Sequence, residues 1–270
     1  MSESFQLPVY ETIQVEQRGE HALIATMNRP QALNAINTQM GHDWLDLWTR
    51  LSVAPANIRC VILTGAGDRA FCAGGDLKER HGMTNQQWQR QHELMERAFM
   101  TLLDCTVPVI AAVNGHAYGG GCETALACDF IYASRNARFA LSEVTLGIMP
   151  GGGGTQTLAR AVGERRAKEL VMSARPFTSD QACEWGMVNR VFDTHAELLE
   201  AAVATANEIA GNAPLSIRQV KKSIHFGLQA DLMTGYRFEL EAYNRLVPTE
   251  DRLEGVRAFN EKRKPVFRAC

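Results

Sequence analysis

The chain has 270 residues, 46% of them hydrophobic, so it is long enough to bury a sizeable core without disulfides or metals. Its 28 Lys and Arg residues are balanced by 30 Asp and Glu residues, which argues against the strong net field used to bind nucleic acid or anionic membranes. We therefore expect a small-molecule partner, with no nucleic acid and no membrane.

The cysteines and the N-terminus predict a compartment. Seven cysteines, an odd number, lie mostly in apolar runs, which is typical of buried thiols in a reducing environment. The N-terminal residues show no basic segment followed by an apolar one, and no stretch approaches the roughly 18 apolar residues of a membrane span. These features predict a cytoplasmic protein. The histidines show no metal-ligand spacing with cysteines or carboxylates, so we expect no metal.

Short apolar runs alternate with helical patterns in the first half of the chain. Residues 12–15 and 21–27 predict a hairpin, and Asn37 is placed to cap a following helix. Buried strands are predicted at residues 60–64, 108–113 and 130–133, and a long amphipathic helix at residues 85–103. Strand, Gly-rich turn and helix recur in this order, which favours an α/β fold of repeated ββα units over a doubly wound sheet.

The second half of the chain is predicted to be almost entirely helical. Capping boxes begin at Thr178 and Thr194. No Ser/Gly linker divides the chain, so we predict a core over residues 1–200 and a helical region over residues 201–270 that packs on it or on a neighbouring subunit. The later helices are predicted to be separated by Pro214, Gly227, Gly235 and Pro248.

Two glycine-rich turns follow predicted strands. The first is Phe71-Cys-Ala-Gly-Gly-Asp-Leu-Lys, and the second is Gly119-Gly-Gly, which opens a helical segment. Both leave backbone N–H groups accessible, and a helix N-terminus favours negative charge. Fixed donors from two separate turns can stabilise an enolate-like oxygen without reorganisation, so the two turns predict an oxyanion hole for a thioester.

Two glutamates are the candidate catalytic groups. Glu123 lies at the start of the helix after the second turn, and Glu143 lies in an apolar stretch, where desolvation would raise its pKa. Two carboxyls in a partly dry pocket can hold different protonation states, so that one accepts a proton while the other donates one. Taken alone, each glutamate is better explained by a helix dipole or a salt bridge.

Other motifs have simpler interpretations. Residues 65–70 nominally fit a dinucleotide fingerprint, but the next glycines cannot open the required helix, so we interpret the segment as a turn. The run Gly151-Gly-Gly-Gly lacks the Lys and Ser/Thr of a phosphate-binding loop and is interpreted as a flexible or closely packed turn under the acyl site. Asp76 and Asp129 fit capping or turn-stabilising roles.

These runs, in this order over nearly the whole chain, resemble the crotonase (enoyl-CoA hydratase/isomerase) superfamily. The most specific match is Gly119-Gly-Gly-Cys-Glu. Supporting matches lie at residues 28–30, 33–35, 64–65, 71–77, 112–118, 139–147, 150, 153–155 and 255–264. The resemblance implies a spiral of repeated ββα units, closed by C-terminal helices that build homotrimers, often paired into homohexamers.

The resemblance also implies roles for individual residues. Gly75 and Gly120 match the positions whose N–H groups hold the thioester oxygen, and Glu123 and Glu143 match the two catalytic carboxylates of the hydratases. Coenzyme A would be part of the substrate, so no separate cofactor is expected. The segments that usually contact the CoA and pantetheine, or reach the CoA from the C-terminal region, contain Ala32, Ala73, Asp76, Leu77, Phe259 and Lys262.

The predicted function is reversible addition of water to a 2-trans-enoyl-CoA. An isomerase or another acyl-CoA lyase of the same superfamily is an alternative, although an isomerase needs only one carboxylate. A non-catalytic binding or RNA-associated module is disfavoured by the balanced charge and the paired glutamates. Ser142 stands where Pro often precedes the second glutamate and Gly75 where Ala is frequent, which leaves the acyl preference open.

Overall fold

Ten strands form two sheets in the computed structural model, which describes residues 5–6 and 9–270. Residues 1–4 and 7–8, on which the expectation about the N-terminus partly rests, lie outside the described residues. The strands are β1 (Ile13–Arg18), β2 (Ala22–Met27), β3 (Cys60–Gly65), β4 (Ala70–Cys72), β5 (Val109–Val113), β6 (His116–Tyr118), β7 (Phe130–Ser134), β8 (Arg138–Ala140), β9 (Phe177–Thr178) and β10 (Arg190–Phe192).

Eleven α-helices in the described residues connect and cover these strands. Residues 30–32 and 143–146 add two short 3₁₀ turns. The helices are α1 (Thr38–Val53), α2 (Leu77–Arg80), α3 (Asn85–Leu103), α4 (Gly120–Ala127), α5 (Gly154–Val162), α6 (Glu164–Ser173), α7 (Ser179–Glu184), α8 (His195–Ala210), α9 (Pro214–Gly227), α10 (Leu232–Leu246) and α11 (Glu250–Asn260).

The ββα repeat predicted from the sequence is confirmed and explains the two sheets. The large sheet has the order β1-β2-β3-β5-β7-β10, and the small sheet has the order β4-β6-β8-β9. In three successive units the first strand (β3, β5 or β7) enters the large sheet and the second (β4, β6 or β8) enters the small one. The first hairpin differs, because β1 and β2 pair antiparallel within the large sheet.

The central strands of the large sheet are buried on both faces, since successive side chains of a strand point to opposite faces. In β3, Val61 and Leu63 join the main core with α1 and α3, whereas Cys60 and Ile62 pack against α8. This explains why β3 reads as a continuous apolar run rather than as an alternating one.

Helix α8 spans the predicted boundary at residue 200. Its Leu198, Ala202 and Ala206 are fully buried against the large sheet, so a division at residue 200 would cut through a core helix. The strand β10, which pairs with β7, was also absent from the predicted elements, since its three residues carry little periodicity of their own. The next helix, α9, begins at Pro214.

The prediction that Gly235 separates two helices is wrong. Gly235 lies inside α10, where a Cβ atom would come within 3.1 Å of the Gly227 carbonyl oxygen and 3.2 Å of its Cα. The glycine therefore permits close packing of α10 on α9. None of the helices in the described part of the chain combines the length and apolarity that crossing a bilayer requires.

Candidate active site

The small sheet brings three loops together. Strands β4, β6 and β8 pair in parallel, so their carboxyl ends lie at the same edge. Residues 73–75 follow β4, residues 119–121 follow β6, and Glu143 follows β8. Each loop carries a predicted site residue, and the sheet thereby places Gly75, Gly120 and Glu143 beside one another.

These loops and one face of α3 enclose a cavity of about 480 Å³. All four predicted catalytic positions line it: Gly75, Gly120, Glu123 and Glu143. The other lining residues are Ile36, Ala73, Gly74, Leu77, Arg80, Trp88, Gln89, His92, Met95, Glu96, Phe99, Gly119, Ser142, Leu146, Ile148, Met149, Gly151 and Gly152. The size and the mixed lining are typical of a small-molecule site.

Two backbone N–H groups are available at this cavity. Ile36 forms a parallel bridge with Gly75: its N–H donates to Gly74 O, and its carbonyl oxygen accepts from the Asp76 N–H. Because these two bonds involve the neighbours of Gly75, the N–H of Gly75 itself points away from Ile36. Gly120 is the first residue of α4, where an N–H group has no acceptor within the helix. A Cβ atom on Gly120 would lie 3.8 Å from the Gly75 nitrogen, so the two donors are neighbours.

The glycine at position 119 is required by both conformation and space. Its φ of +51° is unfavourable for residues with a Cβ atom, and a Cβ atom there would lie 3.1 Å from Glu143 Oε1. The second carboxyl therefore lies directly against the turn that presents the Gly120 N–H.

Glu123 is held by a loop that the sequence did not associate with it. The side chain is only 3% exposed, and its Oε1 accepts hydrogen bonds from the N–H groups of Gly152 and Gly154, both at 2.8 Å. A Cβ atom on Gly152 would lie 3.0 Å from Glu123 Oε2, and one on Gly154 would lie 2.9 Å from Glu123 Cγ and Oε1. The glycine run is thus a closely packed donor loop.

The surroundings set different proton affinities for the two carboxyls. Burial raises the pKa of Glu123, but the N–H donors of Gly154 and Gly152 oppose that rise because they stabilise the ionised form. Burial, together with the charge of Glu123, raises the pKa of Glu143 to about 7, and its buried Oε2 has no hydrogen-bond partner in the described structure. Near neutral pH, Glu143 is therefore the better proton donor of the two.

The raised pKa of Glu143 predicts a pH-dependent stability gain on replacement by Gln. A carboxyl whose pKa rises from 4.5 to about 7 on folding binds more protons in the folded state, so its favourable contribution is lost as the pH rises to 7 and beyond. We compare the free energy of unfolding of E143Q with that of wild type at each pH. We expect this difference to favour the variant by about 1–2 kcal/mol more at pH 8 than at pH 5. Urea denaturation at both pH values measures this difference. The exposed Glu93→Gln should show no such dependence, and an equal effect of E143Q at both pH values would contradict the expectation.

Two of the residues predicted to bind CoA line the cavity. Ala73 and Leu77 flank the first glycine turn and belong to the cavity lining. Asp76 lies outside the lining: its Oδ1 accepts the N–H groups of Lys78 and Glu79 at the start of α2, and its Oδ2 pairs with Arg29 at 2.8 Å. Asp76 therefore organises the turn, as its alternative capping interpretation expected.

The remaining three predicted CoA residues lie away from the cavity lining. Ala32 ends a 3₁₀ turn, Phe259 is 84% exposed on α11, and Lys262 follows α11 with a φ of +54°. Within a single chain, Phe259 and Lys262 do not reach the cavity lining. Their contact with CoA stays a prediction.

Sequence reasoning missed several lining groups. The donor role of Gly152 and Gly154 belongs to the main chain, so only the glycine run itself could have indicated it. Arg80 and His92 enter the cavity from α2 and α3, and the helical spacing of α3 could have indicated its lining face. Ser142, noted only as a departure from the family pattern, also lines the cavity beside Glu143.

Comparisons with known proteins agree with this geometry. The profile of the enoyl-CoA hydratase/isomerase family matches residues 18–269. A short-chain-enoyl-CoA hydratase of Clostridium acetobutylicum is 42% identical over 250 residues, covering 93% of this chain and 95% of that protein. A crotonyl-CoA hydratase of Syntrophomonas wolfei is 38% identical over 258 residues, covering 96% of this chain and 98% of that protein.

A solved structure is similar over the same extent. The crystal structure of an enoyl-CoA hydratase from Bacillus anthracis superposes with a TM-score of 0.93 at 41% identity, covering 96% of this chain and 100% of that one. The predicted crotonase-like spiral of ββα units is therefore confirmed. The chain belongs to the enoyl-CoA hydratase/isomerase family.

Proposed function

We propose that this protein is an enoyl-CoA hydratase, a hydro-lyase that adds water reversibly to a 2-trans-enoyl-CoA. The observation that carries the proposal is the pair of carboxyls, Glu123 and Glu143, in one cavity with the adjacent N–H groups of Gly75 and Gly120. The similar hydratases from Clostridium and Syntrophomonas support it. The reaction needs no cofactor, because CoA is part of the substrate.

The carboxyl environments support distinct roles. Ionised Glu123, stabilised by two N–H donors, removes a proton from water as its oxygen adds to C3 of the substrate. Electrons move onto the thioester oxygen, where the N–H groups of Gly75 and Gly120 stabilise the enolate. Protonated Glu143 then supplies the proton to C2, and the carboxyls return to their starting states through solvent exchange. A single-carboxyl isomerisation would leave one of these two groups without a task.

The direct test is an assay of purified protein with crotonyl-CoA and longer 2-enoyl-CoAs. Hydration removes the conjugated double bond, so the thioester absorbance should fall at a rate proportional to enzyme concentration. A protein that is inert on every 2-enoyl-CoA but isomerises a 3-enoyl-CoA would contradict the hydratase proposal and support the isomerase alternative.

We also propose that the C-terminal helices build a homotrimer, with a homohexamer as its paired form. Helices α9 to α11 carry many large exposed apolar side chains, and burying such surface stabilises association. Assembly could also carry Phe259 and Lys262 to the cavity of a neighbouring copy. The most exposed examples are Leu232 and Phe259, both at 84%, and Leu228, which directly follows α9, at 76%.

Leu232→Glu is expected to dissociate the assembly, because a carboxylate would be buried in an apolar interface. Light scattering coupled to size exclusion should give a multiple of three times 29.9 kDa for wild type and a smaller mass for the variant. Val53→Glu is the matched control, since Val53 is 80% exposed but lies at the end of α1. A wild-type mass of 29.9 kDa would overturn the trimer proposal.

The expected compartment remains the cytoplasm, and the expected role lies in fatty acid metabolism. The cysteines support a reducing compartment: all seven are free, and five of them are buried. Free buried thiols of this kind persist where glutathione and thioredoxin keep them reduced.

A further inference from the structure

A half-buried arginine forms part of the cavity wall without an acidic partner. Arg80 ends α2 and lines the cavity, and its Nε donates to Gln91 Oε1 at 2.7 Å. Within the described residues, its two terminal nitrogens have no hydrogen-bond or ion-pair partner. Arg29, by contrast, uses its terminal nitrogens on Ala35 O and on the carboxylate of Asp76. The outer edge of the Arg80 guanidinium is thus free to bind a ligand.

The position of Arg80 is fixed from two sides. Its guanidinium carbon lies 4.5 Å from the centre of the Trp88 ring, a distance at which a cation and an aromatic face attract each other. Gln91, which accepts from Nε, is itself 5% exposed and donates to Thr38 Oγ1 and Glu79 Oε2, both at 2.8 Å. This network holds the guanidinium before a ligand arrives, which lowers the entropic cost of binding one.

Arg80 lies next to the proposed oxyanion hole. A Cβ atom on Gly75 would come within 3.0 Å of Arg80 Nη1, while the other side of the same turn adjoins Gly120. A thioester oxygen held by these N–H groups would therefore lie close to the guanidinium. An acyl chain of only a few carbons is long enough to place a group at its far end against Arg80.

The charges in the cavity make this arginine decisive for an anionic substrate. Arg80 is the single Lys or Arg among the described residues that line the cavity, whereas three carboxyls, Glu96, Glu123 and Glu143, also line it. An anionic acyl group would meet net repulsion from these carboxyls without Arg80. Burial lowers the pKa of Arg80 more than the nearby charge of Glu79 raises it, so the buried guanidinium charge carries a desolvation cost that a bound carboxylate would offset.

We infer that the cavity accepts 2-enoyl-CoA substrates whose acyl chain ends in a carboxylate, and that Arg80 binds this carboxylate through its free guanidinium edge. The inference rests on the proposed hydratase function and deepens it by naming a substrate class. A planar guanidinium offers two parallel N–H donors that match a carboxylate, a fit that a lysine ammonium lacks.

The first test compares two substrates that differ only at C5. 4-Carboxybut-2-enoyl-CoA carries a carboxylate where pent-2-enoyl-CoA carries a methyl group. We expect wild-type protein to hydrate the carboxylated substrate with a higher kcat/KM, mainly through a lower KM, because the carboxylate is held equally in the ground and transition states. Competition by the saturated glutaryl-CoA and pentanoyl-CoA gives the same comparison without turnover, and glutaryl-CoA should bind more tightly.

The second test uses variants of the cation. Arg80→Met should lower the kcat/KM ratio of carboxylated to uncarboxylated substrate by about 10–100-fold, the range expected for loss of a charge-assisted hydrogen-bonded pair. Arg80→Lys retains the positive charge but not the two parallel N–H donors, so its kcat/KM ratio should lie between those of wild type and Arg80→Met. Arg90→Met is the matched control, because Arg90 is exposed on α3 and lies outside the cavity lining, so its ratio should equal that of wild type.

The outcomes separate this inference from the proposed function. Hydration of pent-2-enoyl-CoA without preference for the carboxylated substrate, and equal competition by the two saturated esters, would overturn the carboxylate inference while leaving the hydratase proposal intact. Inertness on these two enoyl-CoAs and also on crotonyl-CoA and the longer 2-enoyl-CoAs would contradict the hydratase proposal itself, and the binding comparison would still decide whether the cavity selects a carboxylate. If Arg80→Met fails to fold, the wild-type comparisons and Arg80→Lys decide the matter.

Discussion

Replacement of either Glu123 or Glu143 by Gln is expected to lower the kcat for hydration of crotonyl-CoA by about 10²–10⁴-fold, the usual contribution of a positioned acid or base. Gln retains the size and the hydrogen-bonding oxygen of each side chain but can neither take nor give a proton in this pH range. Glu93→Gln is the matched control, since Glu93 is an exposed acid of α3 outside the cavity lining. Stopped assays at high enzyme concentration can measure the residual rates.

The pH profile assigns the two roles. If Glu143 is the acid, wild-type hydration should fall as the pH rises through about 7, where its carboxyl loses the proton. E143Q should lack this decline, whereas E123Q should keep it on a lower baseline. Two variants with near wild-type kcat would reject the paired-carboxyl mechanism, and a profile that loses its decline only in E123Q would reverse the assignment.

Gly120→Pro is expected to lower kcat by about 10²–10³-fold, the cost of losing one donor of an oxyanion hole. The substitution removes a single N–H group at the first position of α4, where Pro is well tolerated because that N–H has no helical acceptor. The preceding residue is Gly119, which has no Cβ atom to clash with the Pro ring. The helix should therefore persist while the donor is lost.

Gly120→Ala provides the matched comparison. It adds a Cβ atom 3.3 Å from Ile36 Cδ1, a contact that a small side-chain shift can relieve, and it keeps the N–H. We expect its kcat to remain within about tenfold of wild type, because no donor is lost. Thermal unfolding of both variants reports whether α4 is intact. Equal kcat values for folded Gly120→Pro and Gly120→Ala would remove this N–H from the proposed mechanism.

Local signals predicted the helices well. Asn37 accepts from the Met40 N–H at 3.0 Å, and Thr178 and Thr194 form the predicted capping boxes, because a cap depends on residues three positions apart. The helix predicted at residues 85–103 has those same bounds in the structure. Contacts within one turn of chain are fully encoded in the adjacent sequence.

Features that depend on distant contacts were harder to predict. The three-residue strands β4, β6 and β8 are too short to show a period, yet their parallel pairing brings the catalytic loops together. The sequence predicts a helix end at Gly235 because a glycine that breaks a helix and one that permits close packing look alike in a sequence. The family resemblance identified the positions of Glu123 and Glu143, whereas only the fold brings them to one cavity.

The two N–H groups that hold Glu123 Oε1 belong to the main chain of residues 151–154. Any single substitution other than proline changes a side chain but leaves those amides in place, and a side chain at Gly152 or Gly154 would collide with the carboxylate. Single substitutions in this loop therefore give selection little means of adjusting the proton affinity of Glu123 finely. An insertion or deletion would change the donors themselves. Adaptation of the enzyme to a new working pH is consequently easier through the side chains around Glu143, where no backbone donor holds Oε2.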